Sequence, residues 1–387
     1  MHEKLKHLDK NQVSVLIQRY YDGDKVSDLI LEFDIDVLPS KLVSLFPPTI
    51  HGDRFCAHCK DENLVTKAKP RNSYSNPQAE CPACKHRDIS NCRCKNCNAA
   101  KEERKQFVLY KKQDIIVSEF CIDYPACPEV EELTHTDALY FISIVRHSSD
   151  ENFEFITPYD EKNPELAPTF EFKNEIVRHL YSKGFIWIGF ESDVDAFVYD
   201  DELTHTTAYY PTRVLWKLLP NLSLPAKKDY IKKLEKVIKA DEHPDSWLPD
   251  INSLWEKIAK YECIEYLLYS AAKRDLPIEK VGEKTHSIFE NVLEDYSIGQ
   301  VFNLIFQSAM STNDYAIREN VPKYMAKNMF IGNIQRKADK AKAEGWKIKN
   351  SRRDFNCPQS VISETFFHSF MGIGSSILEV AKPKYES

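Results

Sequence analysis

The residues best suited to chemistry are seven cysteines that lie between Cys56 and Cys97. They form two CxxC pairs and a CxCxxC run, and His86 lies between the second pair and that run. A CxxC pair places two thiolates at one tight turn, and zinc binds four such soft donors as a tetrahedron. Seven cysteines and one histidine are eight donors, which predicts two structural Zn²⁺ ions. The predicted ligands are Cys56, Cys59, Cys81, Cys84, His86, Cys92, Cys94 and Cys97.

The spacing leaves the pairing of these donors open. The preferred pairing has Cys56, Cys59, Cys94 and Cys97 on one ion and Cys81, Cys84, His86 and Cys92 on the other. The alternative joins the two CxxC pairs in an ordinary zinc ribbon, which this region resembles, and His58 could replace His86. Because nearly all donors are thiolates, the sites are expected to be closed and structural rather than open and catalytic.

The elements before the cysteines form a predicted unit over residues 1–50. Apolar residues recur at helical spacing over 11–47 and indicate three short helices. The stretch RYYDGDKVSDLILEFDI resembles the helix-turn-helix of resolvases and transposases over about forty residues. That resemblance implies DNA reading through the third helix, which carries Lys41. Because the first two helices are acidic, plain three-helix packing or protein docking remains an equal alternative.

The rest of the chain divides into a zinc-binding module over 51–112, an α+β segment over 113–222 and a helical domain over 223–387. A strand is predicted within 106–120. The α+β segment has helices near 139–145 and 172–180 and strands near 185–190, 196–199 and 208–210, which resembles a winged helix or a plain α+β layer. Predicted C-terminal helices span 226–240, 250–273, 284–309, 322–345 and 357–380 and would pack as a bundle. The fold class is therefore mainly α with a small α+β middle segment.

Charge is distributed unevenly, and this distribution points to a partner. The net charge is −7, yet residues 54–112 carry 14 Lys+Arg against 6 Asp+Glu, and residues 318–353 carry 11 against 3. Local clusters make phosphate contacts, so two basic segments in an acidic chain favour nucleic acid, DNA more than RNA. The predicted nucleic-acid contacts are Lys41, Lys67, Lys69, Arg71, Arg87, Arg93, Lys95, Lys323, Lys327, Arg336, Lys340, Arg352 and Arg353.

The composition also excludes several classes of function. Only ten glycines occur, and neither a Walker loop nor a dinucleotide fingerprint is present, which argues against P-loop NTPases and Rossmann dehydrogenases. The sequence has no run of eighteen apolar residues and no signal-peptide pattern, so we expect a cytoplasmic protein without membrane contact.

The sequence supports a zinc-stabilised nucleic-acid-binding protein rather than an enzyme. A helix-turn-helix followed by a zinc ribbon is similar to bacterial mobile-element or phage-defence proteins over about the first hundred residues. One alternative is a metal-dependent nuclease that uses the zinc module for targeting, with an acidic segment around Asp193 and Asp195 as its magnesium site. The other alternative is a protein-docking adaptor.

Overall fold

The computed structural model describes residues 2–74, 77–121, 124, 126–156, 165–239, 243–276 and 278–380. The chain divides into two units, Met1–Lys111 (unit 1) and Lys112–Ser387 (unit 2). As predicted, it is mainly helical with a few small antiparallel sheets. Across the described ranges, no helix combines the length and the apolar character needed to cross a membrane.

After a 3₁₀ turn, Glu3–Leu5, unit 1 has two helices, α1 (Lys10–Asp22) and α2 (Val26–Glu32). Gly23, at a φ of 109°, ends α1 in the left-handed conformation that suits glycine. Arg19 bonds the carboxylates of Asp24 and Glu32 at 2.7 and 2.6 Å, so part of the acidic charge noted in the sequence is neutralised internally.

The predicted third helix is a 3₁₀ helix, Pro39–Leu45, rather than an α-helix. Pro39 at its start and Pro47 just after its end leave room for only a short element. Its seven residues include Lys41, which is exposed. The recognition element expected from the helix-turn-helix resemblance is therefore shorter than an ordinary α-helix, and the assignment remains a prediction.

The cysteine-rich part of unit 1 contains one hairpin and the start of a long helix. Strands β1 (Thr49–Phe55) and β2 (Asn63–Thr66) pair antiparallel. Helix α3 spans Lys95–Phe120, so the strand predicted within 106–120 is wrong. No glycine or proline interrupts 95–120, and the helix therefore continues through the apolar residues that suggested a strand.

The N-terminal half of unit 2 is an α+β layer. Helices α4 (His135–Ser148) and α5 (Phe170–Ser182) confirm the two predicted helices. The strands are β3 (Phe155–Ile156), β4 (Ile186–Ile188), β5 (Phe197–Tyr199), β6 (Thr206–Tyr209) and β7 (Trp216–Leu218). They form an antiparallel sheet of order β3-β7-β4 and a separate β5-β6 hairpin. Strands β4, β5 and β6 confirm the three predicted strands, whereas β3 and β7 were not predicted.

The C-terminal half of unit 2 is helical, as expected. Its helices are α6 (Leu224–Ile238), α7 (Leu248–Ala272), α8 (Glu283–Leu293), α9 (Ile298–Arg318), α10 (Lys323–Glu344) and the single turn α11 (Val361–Glu364). The predicted helix 284–309 is two helices, because Ser297 caps a new one by accepting a hydrogen bond from the Gln300 N–H. The last predicted helix is α11 followed by a π turn, Thr365–Phe370, and a 3₁₀ turn. Residue 240, the expected end of the first helix, lies outside the described residues.

One hydrophobic core spans unit 2 from Ile116 to Ile377. It includes buried residues on both sides of residue 222, such as Trp216 and Trp255. The α+β segment and the helical segment, which the sequence divided at 222, therefore pack as one body. All five tryptophans lie in unit 2, so tryptophan fluorescence reports on that unit alone.

His135, near the start of α4, is completely buried in this core. Its ring stacks on Trp247 at 5.1 Å between centroids and on Phe370 at 4.7 Å. Neither ring nitrogen has a hydrogen-bond partner among the described residues. Burial, with a smaller contribution from His243, lowers the pKa of His135 to about 3, so its ring is neutral in the folded state.

This histidine predicts a pH dependence of stability. The unfolded chain binds a proton at His135 below about pH 6.5 and the folded chain does not, so stability is lost as the pH falls toward 3. Between pH 6 and pH 4 the wild type should lose about 2.5 kcal/mol more than His135→Phe, measured by urea unfolding with tryptophan fluorescence. His205→Asn, at an exposed histidine, is the control. Parallel pH profiles for the wild type and His135→Phe would contradict the prediction.

Candidate metal centre

The first donor cluster joins the two CxxC pairs. The sulfur atoms of Cys56, Cys59, Cys81 and Cys84 all lie within 4.8 Å of one another, and those of Cys56 and Cys84 are 3.5 Å apart. Four sulfurs at 2.3 Å from one zinc ion would be separated by about 3.8 Å, so the spacing fits a tetrahedral site. The same distances are far too long for a disulfide, and all four thiols are free.

The two CxxC turns of this cluster have the same backbone. In the first turn the Lys60 N–H bonds the Cys56 carbonyl at 2.9 Å and the Cys59 N–H bonds the Cys56 sulfur at 3.5 Å. In the second, the Lys85 N–H bonds the Cys81 carbonyl at 3.0 Å and the Cys84 N–H bonds the Cys81 sulfur at 3.5 Å.

Each turn closes with a lysine in the left-handed region, Lys60 at a φ of 55° and Lys85 at 61°. This conformation costs a residue with a Cβ atom about 1 kcal/mol and usually favours glycine. In both turns, lysine thus occupies the position where glycine is usual, and each turn carries a cation next to its cysteines.

The second cluster lies at the start of α3. Ring nitrogens of His58 and His86 lie within 4.8 Å of one another and of the sulfurs of Cys94 and Cys97. Cys97 Sγ is 3.1 Å from His58 Nε2 and 3.3 Å from His86 Nδ1. Zinc bonds of 2.3 Å to sulfur and 2.0 to 2.1 Å to nitrogen imply a sulfur–nitrogen separation of about 3.5 Å, so this group also fits a four-coordinate site.

Helix α3 contributes to this cluster through its N-terminus. The Cys97 N–H, in the first turn, bonds Cys94 Sγ at 3.4 Å, so the thiol of Cys94 serves as the cap. The positive end of the helix dipole lies at this cap. Cys94 is thus both a donor of the second cluster and the cap of α3.

The preferred pairing from the sequence differs from this arrangement. The structure groups Cys56 and Cys59 with Cys81 and Cys84, which is the zinc-ribbon alternative. His58, considered only as a substitute, joins His86 in the second cluster. The physical reason is the β1-β2 hairpin and the short bridge between Val65 and Glu80, which bring the two CxxC turns together. Ligand spacing along the chain does not contain this information.

Cys92 is the predicted ligand that lies outside both four-donor groups. Its sulfur is buried and accepts hydrogen bonds from the N–H groups of Arg87 at 3.3 Å and of Cys94 at 3.5 Å. These bonds lower the pKa of the Cys92 thiol to about 6. Cys92 is therefore an N–H-stabilised thiolate next to the second cluster.

The electrostatics of the first cluster suit a cation. Burial raises the pKa of Cys84, and neighbouring sulfurs add to this. Burial also opposes ionisation of Cys81, but the N–H groups of Cys84 and Ala83 outweigh it and lower its pKa to about 7. Four thiolates can ionise together only if a positive charge lies among them, which a divalent ion supplies. The ion would act as a cross-link.

The hydrophobic core of this region is too small to fold it alone. Its fully buried members are Cys56, Cys81 and a single aliphatic residue, Leu64. Metal coordination can supply the missing free energy, since structural zinc binding contributes about 10 to 16 kcal/mol in small modules. The donor sets are compatible with two structural metal sites.

Several predicted phosphate contacts in unit 1 already bind other groups of the chain. The Arg71 guanidinium donates to the carbonyls of Tyr20 and Asp24 at 3.0 and 2.7 Å and fastens the segment after β2 to the end of α1. Lys67 and Arg87 both pair with Glu80, at 2.7 and 3.3 Å.

Of the predicted contacts in unit 1, Lys41, Arg93 and Lys95 make no ion pair with any described residue, and the same holds for Lys85 beside the first cluster. Lys69 is partly buried, and its carbonyl accepts a hydrogen bond from Tyr21.

The predicted contacts in unit 2 also separate into exposed and internal groups. Lys327 is half-buried, and Arg336, Lys340 and Arg352 are exposed. Lys323 donates to the Arg274 carbonyl at 2.8 Å and lies 3.4 Å from Asp275.

Arg353 does not fit its predicted role. Its side chain is only 14% exposed, pairs with Glu262, and bonds Glu265 at 2.9 Å and the carbonyls of Cys357 and Pro358. It is an internal tether between α7 and the chain before α11, and burial has removed it from the surface that phosphate could reach.

The acidic residues considered for a magnesium site serve as turn caps. Asp193 accepts a hydrogen bond from the Asp195 N–H at 2.8 Å, and Asp200 accepts from the N–H groups of Thr204 and His205. Glu191 pairs with Lys217 at 3.3 Å. Within the described residues, the only groups of three or more potential metal donors are the two Cys/His clusters.

Comparison with known proteins gives one relative and no function. The chain is 39% identical over 56 residues to the uncharacterized protein RC0786 of Rickettsia conorii, a match that covers 14% of this chain and 68% of that protein. Over those residues the chain belongs to the same family as the rickettsial protein. No family model and no solved structure matches it.

The two clusters predict the metal content. We expect two zinc ions per chain by elemental analysis, one in Cys81→Ser and one in His58→Ala, because each variant removes a donor from one cluster. Cys92→Ser is the matched control and should retain two ions. If Cys92→Ser contained one ion and His58→Ala contained two, Cys92 rather than His58 would be the ligand in the second site. Chelation should expose unit 1 to protease while the tryptophan fluorescence of unit 2 is unchanged.

The ion pairs of Arg353 with Glu262 and Glu265 predict that Arg353 and its neighbour Arg352 contribute very differently to the free energy of unfolding. Arg353→Met should reduce the free energy of unfolding by about 3 to 5 kcal/mol, because it leaves the buried carboxylate of Glu262 without its cation and removes the partner of the half-buried Glu265. Arg352→Met, at the exposed neighbour, should change it by less than about 0.5 kcal/mol. Adding Glu262→Gln and Glu265→Gln to Arg353→Met should recover much of the loss. Urea unfolding measures all three, and equal effects of the two arginine variants would contradict the assignment.

Proposed function

We propose that the protein binds nucleic acid through a metal-stabilised module in unit 1. The observation that carries the proposal is the set of exposed cations around the two clusters. Lys60 and Lys85 close the two CxxC turns, and Arg93 and Lys95 flank Cys94 at the start of α3. None of these four pairs with a carboxylate in the part of the chain that the structure describes.

The charge of the bound ions does not cancel this basic surface. One zinc with four thiolates carries −2, and one with two thiolates and two neutral histidines carries none. With the Cys92 thiolate counted as well, the net charge of +8 over residues 54–112 then falls to +5. Unpaired cations on this surface suit phosphate oxygens. The sequence has no glycine-rich phosphate loop, so side chains rather than backbone N–H groups would make these contacts.

The position of Arg93 and Lys95 supports the same interpretation. Both lie at the N-terminus of a 26-residue helix, where N–H groups and the helix dipole favour an anion. Metal binding would hold these cations in fixed positions, so less conformational entropy is lost when phosphate binds. In this proposal the metal sites organise the surface and take no part in chemistry.

The nuclease and adaptor alternatives receive less support. The acidic side chains around Asp193 cap turns instead of converging on one point. The adaptor hypothesis is consistent with Phe107 and Tyr110, which are exposed on α3 at 59% and 70%. These exposed aromatic side chains do not indicate what kind of partner would bind them. The unpaired cations, in contrast, indicate an anionic partner.

The salt dependence of binding tests the proposal. The affinity for labelled DNA and RNA, measured by anisotropy, should fall steeply with salt, by about 0.7 to 0.9 log units per log unit of salt for each phosphate contacted. The triple variant Lys85→Gln, Arg93→Gln, Lys95→Gln should reduce that slope by about 2 to 3 while retaining its metal.

The control triple variant Lys6→Gln, Lys10→Gln, Lys25→Gln removes the same charge from the start of unit 1 and should keep the wild-type slope. A flat slope for the wild type, or no binding at low salt, would overturn the proposal and favour the adaptor. Mg²⁺ should leave the bound nucleic acid intact. Its cleavage, abolished by Asp193→Asn with Asp195→Asn, would instead support the nuclease.

A further inference from the structure

A groove on unit 2 combines lysines with an exposed tryptophan. It has a volume of about 450 Å³ and lies between α9, α10 and the segment that follows α10. Its cationic lining consists of Lys337, Lys340, Lys347 and Lys349, and the rest is Asn303, Leu304, Gln307, Ala341, Trp346 and Ile348. Among the described residues, no carboxylate lines it. From this composition we infer that the groove binds single-stranded nucleic acid, an inference that rests on the proposed function but concerns a second site.

The charge of the groove is largely uncompensated. Lys340 lies 3.8 Å from Glu344, one turn further along α10, where both side chains are exposed. Lys337, Lys347 and Lys349 make no ion pair with a described residue. Crowded ammonium groups repel one another, and a polyanion that follows the groove would relieve this repulsion and release counterions.

Trp346 provides a surface for stacking. Its side chain is 54% exposed, whereas Trp216, Trp247 and Trp255 are fully buried. The ammonium of Lys340 lies over its ring, 5.0 Å from the centroid. Bases stack on exposed aromatic rings with little dependence on sequence, and a neighbouring cation can reach the phosphate of the same nucleotide.

The backbone around Trp346 is fixed before any ligand binds. Gly345, at a φ of 69°, ends α10, and the Trp346 N–H then bonds the Ala341 carbonyl at 2.8 Å. The following segment is fastened to α9, since Gln300 donates to the Ile348 carbonyl at 3.1 Å and the Ser351 N–H bonds the Gly299 carbonyl at 2.8 Å. The indole is thus held at the groove without being buried.

These features favour a single strand over a duplex. A duplex keeps the faces of its bases stacked inside, where an indole at the protein surface cannot reach them, while a single strand offers both base faces and phosphates. The groove has cations for the backbone and one aromatic ring, which is the combination that single-strand sites use. DNA and RNA strands share this chemistry, and the experiment separates them.

Titration with labelled oligo(dT), oligo(U) and a duplex tests the inference on the full metal-loaded chain. Trp346→Ala should weaken binding of the single strands by about tenfold or more and leave duplex binding unchanged. Lys337→Gln with Lys347→Gln and Lys349→Gln should reduce the salt slope for the single strands by about 2. A stronger effect of either variant on oligo(dT) identifies DNA as the ligand, and a stronger effect on oligo(U) identifies RNA.

Matched controls exist for both changes. Phe355→Ala removes an aromatic side chain that is 95% exposed and lies outside the groove. Lys228→Gln with Lys232→Gln and Lys236→Gln removes three exposed lysines from α6. Both controls should bind oligo(dT) and oligo(U) as the wild type does.

The outcomes separate this inference from the proposed function. Single-strand binding that depends on Lys85, Arg93 and Lys95 but not on Trp346 or the groove lysines overturns the inference and leaves the proposed function standing. Single-strand binding that depends on the groove but not on unit 1 supports the inference and contradicts the assignment to unit 1. Equal losses for the groove variants and their controls, or no binding of any strand, also overturn the inference.

Discussion

Two clusters of cysteine and histidine donors take the place of an apolar core in the cysteine-rich region of unit 1, and the geometry of that region depends on them. A core that contains Leu64 as its single fully buried aliphatic residue cannot offset the conformational entropy of the chain around it. The hairpin β1-β2 brings two CxxC turns together, and the start of α3 supplies two further cysteines. Lys60, Lys85, Arg93 and Lys95 lie in the turns and at the helix start that carry these sulfur atoms.

The sequence predicted seven of the eight grouped donors, with Cys92 in place of His58, but not their grouping. Residue type and CxxC spacing identify Cys56, Cys59, Cys81 and Cys84, because zinc chemistry depends on local turns. The grouping depends on which turns meet in space, and that is determined by strand pairing between residues distant in sequence. The role of His58 could not be predicted for the same reason, since a histidine between two cysteines of a turn can face either cluster.

The helices show the same difference between what local sequence predicts and what depends on distant contacts. Apolar periodicity located α4, α5 and most of the later helices, because amphipathic spacing reflects the face a helix buries. It failed for α3, whose apolar residues near Phe107 resemble a strand although no residue breaks the helix. Charge counting found both basic segments, but it could not show that Arg353 is buried between two glutamates while Arg352 beside it remains in solvent.

Helix α3 has a further consequence for the lifetime of the protein. Its first turn is capped by the thiol of Cys94, its residues 101–110 are all exposed, and Ile116 is buried in the core of unit 2. Metal bound by Cys94 and Cys97 would hold this end of the helix, and without it the exposed residues could fray into an extended form that proteases cleave. The abundance of the intact protein in a cell would then follow the supply of metal, with degradation removing those chains that never acquired it.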